Sequence, residues 1–192
     1  MTTTSSKSAA PTGRNNAADA IALLTADHKA VKALFKQFED LTTQEDANEH
    51  KARLVEQICN ELTVHARVEE EIFYPAVREA IDDDALMDEA DIEHASAKEI
   101  IAQLEGMEPG DDHYDARVTV LGEYIDHHVK EEEGEIFVKA RKADVDTVAL
   151  GAQIAERKEE LKSELGIEED ETGATPLAKP AKETKKVRES RK

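Results

Sequence analysis

The chain has 192 residues with 39% hydrophobic content, which supports one domain plus tails rather than two independent cores. Aromatics make up 4%, Trp is absent, and eight Gly with five Pro supply too little material for a many-stranded β sandwich or barrel. The net charge of −19 is uneven: residues 174–192 carry seven Lys/Arg against Glu183 and Glu189, so the preceding region is strongly acidic, repels nucleic acid and anionic membranes, and draws cations.

The Ser/Thr-rich start, residues 1–16, has no signal-peptide apolar core and reads as a disordered tail. A first helix is expected over 17–41, where Ile21, Leu24, Val31, Leu34, Phe35, Phe38 and Leu41 form one stripe. A second, over 45–80, carries Leu54, Ile58, Leu62, Ile72 and Ala76. Pro75 falls inside that pattern, where a missing donor and a crowded preceding turn predict a kink. The segment Asp-Asp-Asp-Ala-Leu supplies an N-cap for a third helix, 84–106, which stops at Gly-Met-Glu-Pro-Gly. A fourth helix covers 113–142 through Val118, Leu121, Ile125 and Ile136. These four long amphipathic helices with short connections predict an all-α, up-down-up-down four-helix bundle over 17–142. An additional helix within 143–165 starts near Asp144 or Asp146 and packs outside the bundle or carries a homodimer contact. The remainder, 166–192, reads as a disordered basic tail. No apolar run reaches transmembrane length, and a cytoplasmic location is expected.

The chain repeats itself. His-Ala-Arg-Val-Glu-Glu-Glu-Ile-Phe-Tyr-Pro-Ala-Val-Arg (65–78) aligns without a gap on 128–141, matching His65 with His128, Glu69 with Glu132, Glu70 with Glu133 and Tyr74 with Phe137. Residues 25–34 align on 91–100, matching Asp27-His28 with Glu93-His94 and Lys32 with Lys98. His28 lies four residues after Leu24 and three before Val31, so its imidazole follows the apolar stripe inward. His65 follows Leu62 at three residues and His128 follows Ile125 at three, each with a Glu one turn further on.

His-x-x-x-Glu alone is a weak signal in a chain with 44 Asp and Glu. Four histidines on four apolar stripes, repeated in register, are a strong one, because burying them with two carboxylates and no cation costs several kcal/mol for each unpaired charge. A bridging carboxylate fixes the separation of two cations, while neutral imidazoles complete the shell and leave positions open for a small molecule. The expected ligands are His28, His65, Glu69, His94, His128 and Glu132. His127 is an alternative or additional donor. Glu70, Glu71, Glu131 and Glu133 read as solvated, His50 and His113 as surface residues, and Cys59 as a small buried side chain.

The pattern formed by His28, His65-x-x-x-Glu69, His94 and His128-x-x-x-Glu132 resembles the hemerythrin family, in particular its HHE cation-binding branch, over residues 17–142. The resemblance implies two iron ions in a non-haem di-iron centre, oxo- or hydroxo-bridged, with both carboxylates between the irons. It also implies binding of, or reaction with, dioxygen, nitric oxide or hydrogen peroxide in stress defence or sensing, or iron storage. Two departures bear on function: Ala90 and Lys98 stand where oxygen carriers place a second histidine on the third helix, and the last helix carries His128-x3-Glu132 instead of His-x4-Asp. With fewer imidazoles, a reactive or sensing centre is expected over pure oxygen transport. Six N/O donors also suit zinc. No nicotinamide or flavin fingerprint is present, so electrons come from an external donor, and nucleic acid enters only through the basic tail.

Overall fold

The computed structural model describes residues 19–44 and 47–167. The expected tails, 1–16 and the basic stretch from residue 168 onward, lie outside the described residues.

The chain is all-helical among the described residues. α1 (Ala20–Leu41) is followed by α2 (Asn48–Val68), a π turn π1 (Glu69–Phe73) and α3 (Tyr74–Ala80). The second half repeats the plan as α4 (Asp84–Glu105), α5 (Tyr114–Glu131), π2 (Glu132–Ile136) and α6 (Phe137–Lys142), and α7 (Thr147–Leu165) closes the described chain. Asp19, Asp83 and Asp146 cap α1, α4 and α7 by accepting the N–H of Ala22, Leu86 and Ala149, which satisfies donors that have no partner within the helix. At the far end of α7, Gly166 takes φ 67°. That left-handed turn lets the N–H of Ile167 return to the Lys162 carbonyl at 2.9 Å, closing the last turn of α7.

The second and fourth helices were expected to run unbroken, with a kink at Pro75. Instead each contains a π turn that begins at the Glu of His-x-x-x-Glu: the N–H of Tyr74 donates to the Glu69 carbonyl, and the N–H of Phe137 donates to that of Glu132, five residues back in both cases. Pro75 merely occupies the first turn of α3. Val138 stands at the matching place in the second copy and the π turn forms there all the same, so proline does not cause it. Such turns rotate the helix face by a residue, which aims the following aromatic side chain inward.

The apolar stripes bury two separate clusters. One, around Leu24, Val68, Phe73, Met87 and Phe137, also takes Ile154 and Leu161 of α7. The other, around Val31, Phe38, Ile58, Leu62, Ile101 and Leu121, fills the opposite end. Cys59 belongs to the second, where burial, with Glu105 and Glu56 nearby, pushes its thiol up to about 12; it is the inert buried side chain expected. α7 packs on α1, α2 and π1, settling its place against the bundle.

Because π2 forms without a proline, Pro75→Ala should retain π1 and its stability. Val138→Pro should cost much less than the roughly 3 kcal/mol of a proline inside a regular helix. Urea denaturation of both variants measures this.

Candidate metal centre

Between the two apolar clusters lies a polar layer. His28 (α1), His65 (α2), His94 (α4) and His128 (α5) are 5–7% exposed, and Glu69 and Glu132, at the starts of π1 and π2, are fully buried. All six residues expected as ligands therefore converge. They form two groups of donor atoms, His28, His65, Glu69 and Glu132 in one, Glu69, His94 and His128 in the other.

Glu69 is shared. Its Oε1 lies 3.1 Å from His65 Nε2 and its Oε2 3.4 Å from His94 Nε2. Glu132 falls in the first group, with Oε2 3.1 Å from His28 Nε2, whereas the resemblance implied a second shared carboxylate. The imidazoles meet in pairs, Nε2 to Nε2, at 3.2 Å for His28 and His65 and 3.1 Å for His94 and His128.

Four further carboxylates surround the imidazoles. His28 Nδ1 contacts Glu133 at 2.9 Å, His65 Nδ1 contacts Asp27 at 3.2 Å, His94 Nδ1 contacts Glu70 at 2.9 Å and His128 Nδ1 contacts Glu93 at 2.7 Å. An ionised carboxylate only accepts, so each Nδ1 carries a proton, and each Nε2 is the ring nitrogen that faces the layer, where in the neutral imidazole it offers a lone pair. Glu70 and Glu133, expected to be solvated, are thus partners of imidazoles. The signal was in the repeat, where Asp27 aligns with Glu93 and Glu70 with Glu133, but a run of three glutamates does not reveal which one turns inward.

Tyr74 is a functional candidate that sequence reasoning missed. Its Oη lies 3.3 Å from His94 Nε2 and 3.4 Å from His128 Nε2. At the matching position Phe137 stacks on His28 with ring centroids 5.9 Å apart, so the two halves differ chemically. His127 points away: its side chain is 61% exposed, with Nε2 3.4 Å from Glu93 and 3.5 Å from Glu131. His50 and His113 are exposed, as expected.

The donor set fits a pair of cations. None of the four carboxylate oxygens of Glu69 and Glu132 has a hydrogen-bond partner, a costly state for buried anions. Imidazole nitrogens facing one another at about 3 Å suit the edges of a shell whose metal–nitrogen bonds are about 2.1 Å. The electrostatics agree. Burial opposes a charged His65, yet Glu69, Asp27 and Glu132 outweigh it and push that imidazole up to about 10. Burial and the negative charge of Glu69 push Glu132 above the usual carboxylate range. Burial and the neighbouring imidazoles push His128 down to about 3. The layer demands positive charge and lacks room to take it all as protons.

A cavity of about 320 Å³ adjoins the four imidazoles; Val31, Leu62, Ala97, Ile101 and Ile125 line part of it, and Asp27, Arg67, Glu70, Glu71 and Lys98 line another part. Its size suits a small molecule.

The Hemerythrin HHE cation binding domain family matches residues 19–140. The chain is 29% identical over 115 residues to a DNA nickase of Nostoc sp. (strain PCC 7120 / SAG 25.82 / UTEX 2576), covering 60% of this chain and 31% of that protein. The chain therefore spans less than a third of this relative's length. A crystal structure of a hemerythrin HHE cation binding domain-containing protein, the Rv2633c homolog from Mycobacterium kansasii, superposes with a TM-score of 0.64 at 21% identity, covering 77% of this chain and 89% of that one. It shows the same fold.

The metal-free protein should be most stable near pH 6.5. His128, depressed to about 3, contributes stability above its ordinary 6.5 that is lost as pH falls. Glu70, held at about 2 by His94 and then Lys98, adds a loss below 4.5. His65, raised to about 10, contributes below 6.5 and loses it as pH rises through 10. Urea midpoints in chelator across this range measure both limbs.

Proposed function

The chain belongs to the hemerythrin HHE cation-binding family, and on that premise we propose that it is a cytoplasmic non-haem di-iron protein. It binds or reacts with a small diatomic or peroxide ligand, dioxygen, nitric oxide or hydrogen peroxide, in stress defence or sensing. The observation that carries the reading is Glu69: one fully buried carboxylate whose two oxygens face two different imidazole pairs. In this reading His28, His65, Glu69 and Glu132 would hold one iron, and Glu69, His94 and His128 the other. Bound iron supplies Lewis acidity and one-electron redox capacity at positions the protein leaves open.

The chain's own groups prepare that chemistry. Asp27, Glu70, Glu93 and Glu133 hold the Nδ1 protons and so orient the imidazoles, the outer arrangement that strengthens histidine donors. Burial and the charge of Glu69 push the Tyr74 hydroxyl well above its ordinary range, so it keeps its proton and serves as a neutral donor within the layer. The adjoining cavity, apolar on the side of Val31, Leu62 and Ile101, gives a small ligand a way to the layer. Electrons come from an external donor.

Iron storage or sensing without turnover is the second reading, favoured by the spread of donors over four separate helices, which couples metal binding to bundle stability. The acidic surface argues against DNA contact by the bundle itself. The likeness to a DNA nickase covers only 31% of that protein, and nucleic-acid contact through the basic tail is a separate matter from the bundle.

Metal counting on iron-loaded protein tests the proposal: two irons per chain are expected, with near-complete loss in Glu69→Gln and about one iron kept in Glu132→Gln, because only Glu69 serves both groups. Zero or one iron in the folded parent overturns the di-iron reading. Sustained loss of peroxide or nitric oxide with a supplied reductant separates turnover from stoichiometric storage.

A further inference from the structure

α7 lies outside residues 19–140 matched by the family, yet it reaches the metal centre. Lys158 Nζ lies 2.5 Å from Asp27 Oδ1, and Asp27 Oδ2 accepts from His65 Nδ1 at 3.2 Å. Both charged side chains are largely buried, Lys158 15% and Asp27 14% exposed. Resting on the metal-binding reading above, we infer that Lys158 is a positioning residue of the centre. It draws charge from Asp27 and so weakens His65 as a donor, setting the metal affinity and potential of that half.

The repeat supplies an internal control. Among the described residues no lysine pairs with Glu93, the counterpart of Asp27; its other oxygen faces the exposed His127 at 3.4 Å. Its bond to His128 is 2.7 Å, against 3.2 Å for Asp27 to His65. A carboxylate shared with an ammonium gives less to the imidazole, and the longer bond lies on the side that has the lysine. Lys98 pairs with Glu70 behind His94 at 2.5 Å, but its side chain is 48% exposed, so solvent screens it far more than Lys158. A second effect has the same sign: a buried ammonium near the centre repels a metal cation directly, and repels the oxidised ion more than the reduced one.

The direction of the effect separates this role from a merely structural one, since a variant that only loosened α7 would lose metal. Full-length Lys158→Met should bind Fe²⁺, measured anaerobically by chelator competition, roughly tenfold more tightly, the low end of what outer-shell changes achieve. Zn²⁺ should follow the same order, and the midpoint potential of the iron centre should fall. Lys158→Arg should behave as the parent. Arg157→Gln removes another α7 anchor, the 2.7 Å contact with Glu71, without touching Asp27, and should leave affinity unchanged. Unchanged or weaker binding in Lys158→Met, or an equal effect from Arg157→Gln, overturns the inference. Lys158→Gln, which keeps a polar side chain, replaces the methionine variant if that one does not fold. A parent that binds neither metal sinks the metal reading itself, and the inference with it, an outcome distinct from parent and variant binding alike.

Discussion

Two carboxylates buried side by side without a hydrogen bond dominate this molecule. Glu69 and Glu132 are fully enclosed, and a bundle of this size gains no stability from anions left in that state. Every other feature of the middle layer answers that charge: four imidazoles turn their Nε2 atoms toward it, and four outer carboxylates hold those rings through Nδ1. The apolar core is cut in two as a result. Leu24, Phe73 and Phe137 lie on one side of the layer and Val31, Leu62 and Leu121 on the other. Each apolar cluster is continuous along its own helices, so the layer costs packing only where the chemistry sits.

The duplicated helix pair explains how one chain builds such a layer. Each half gives a histidine from its first helix, then a histidine and a glutamate from its second, and the π turn at each glutamate re-aims the aromatic residue five positions on. Symmetry ends at that aromatic, Tyr74 in one half and Phe137 in the other. It ends again at the outer carboxylates, where Asp27 meets a lysine from α7 and Glu93 does not. A twofold frame thus holds two chemically different halves, which a pair of equivalent sites could not provide.

Much of this was legible in the residues. The helices, the Asp83 and Asp146 caps and the six converging side chains follow from stripes and repeated spacing, because burial of a helix face leaves a periodic trace. The π turns were missed: each shifts the apolar stripe by one position, so Phe73, Tyr74 and Val77 are buried where Ile72 and Ala76 were expected, and Pro75 offered a plausible but mistaken cause. Glu70 and Glu133 were hidden within acidic runs, since direction within a run depends on the small rotation those turns introduce. Tyr74 was aligned with Phe137 in the repeat, and nothing in that match marks its hydroxyl as part of the layer. Lys158 was out of reach, lying 131 residues from Asp27 in sequence.

The inner and outer carboxylates also have an electrical consequence. Glu69, Glu132, Asp27, Glu70, Glu93 and Glu133 bring six negative charges, and Lys98 and Lys158 offset two of them. The four left over match the charge of two divalent cations, so the proposed centre, if loaded with two of them, would be near neutral without any further ion. Any positive charge added beyond that would have to be met by an entering anion or a departing proton.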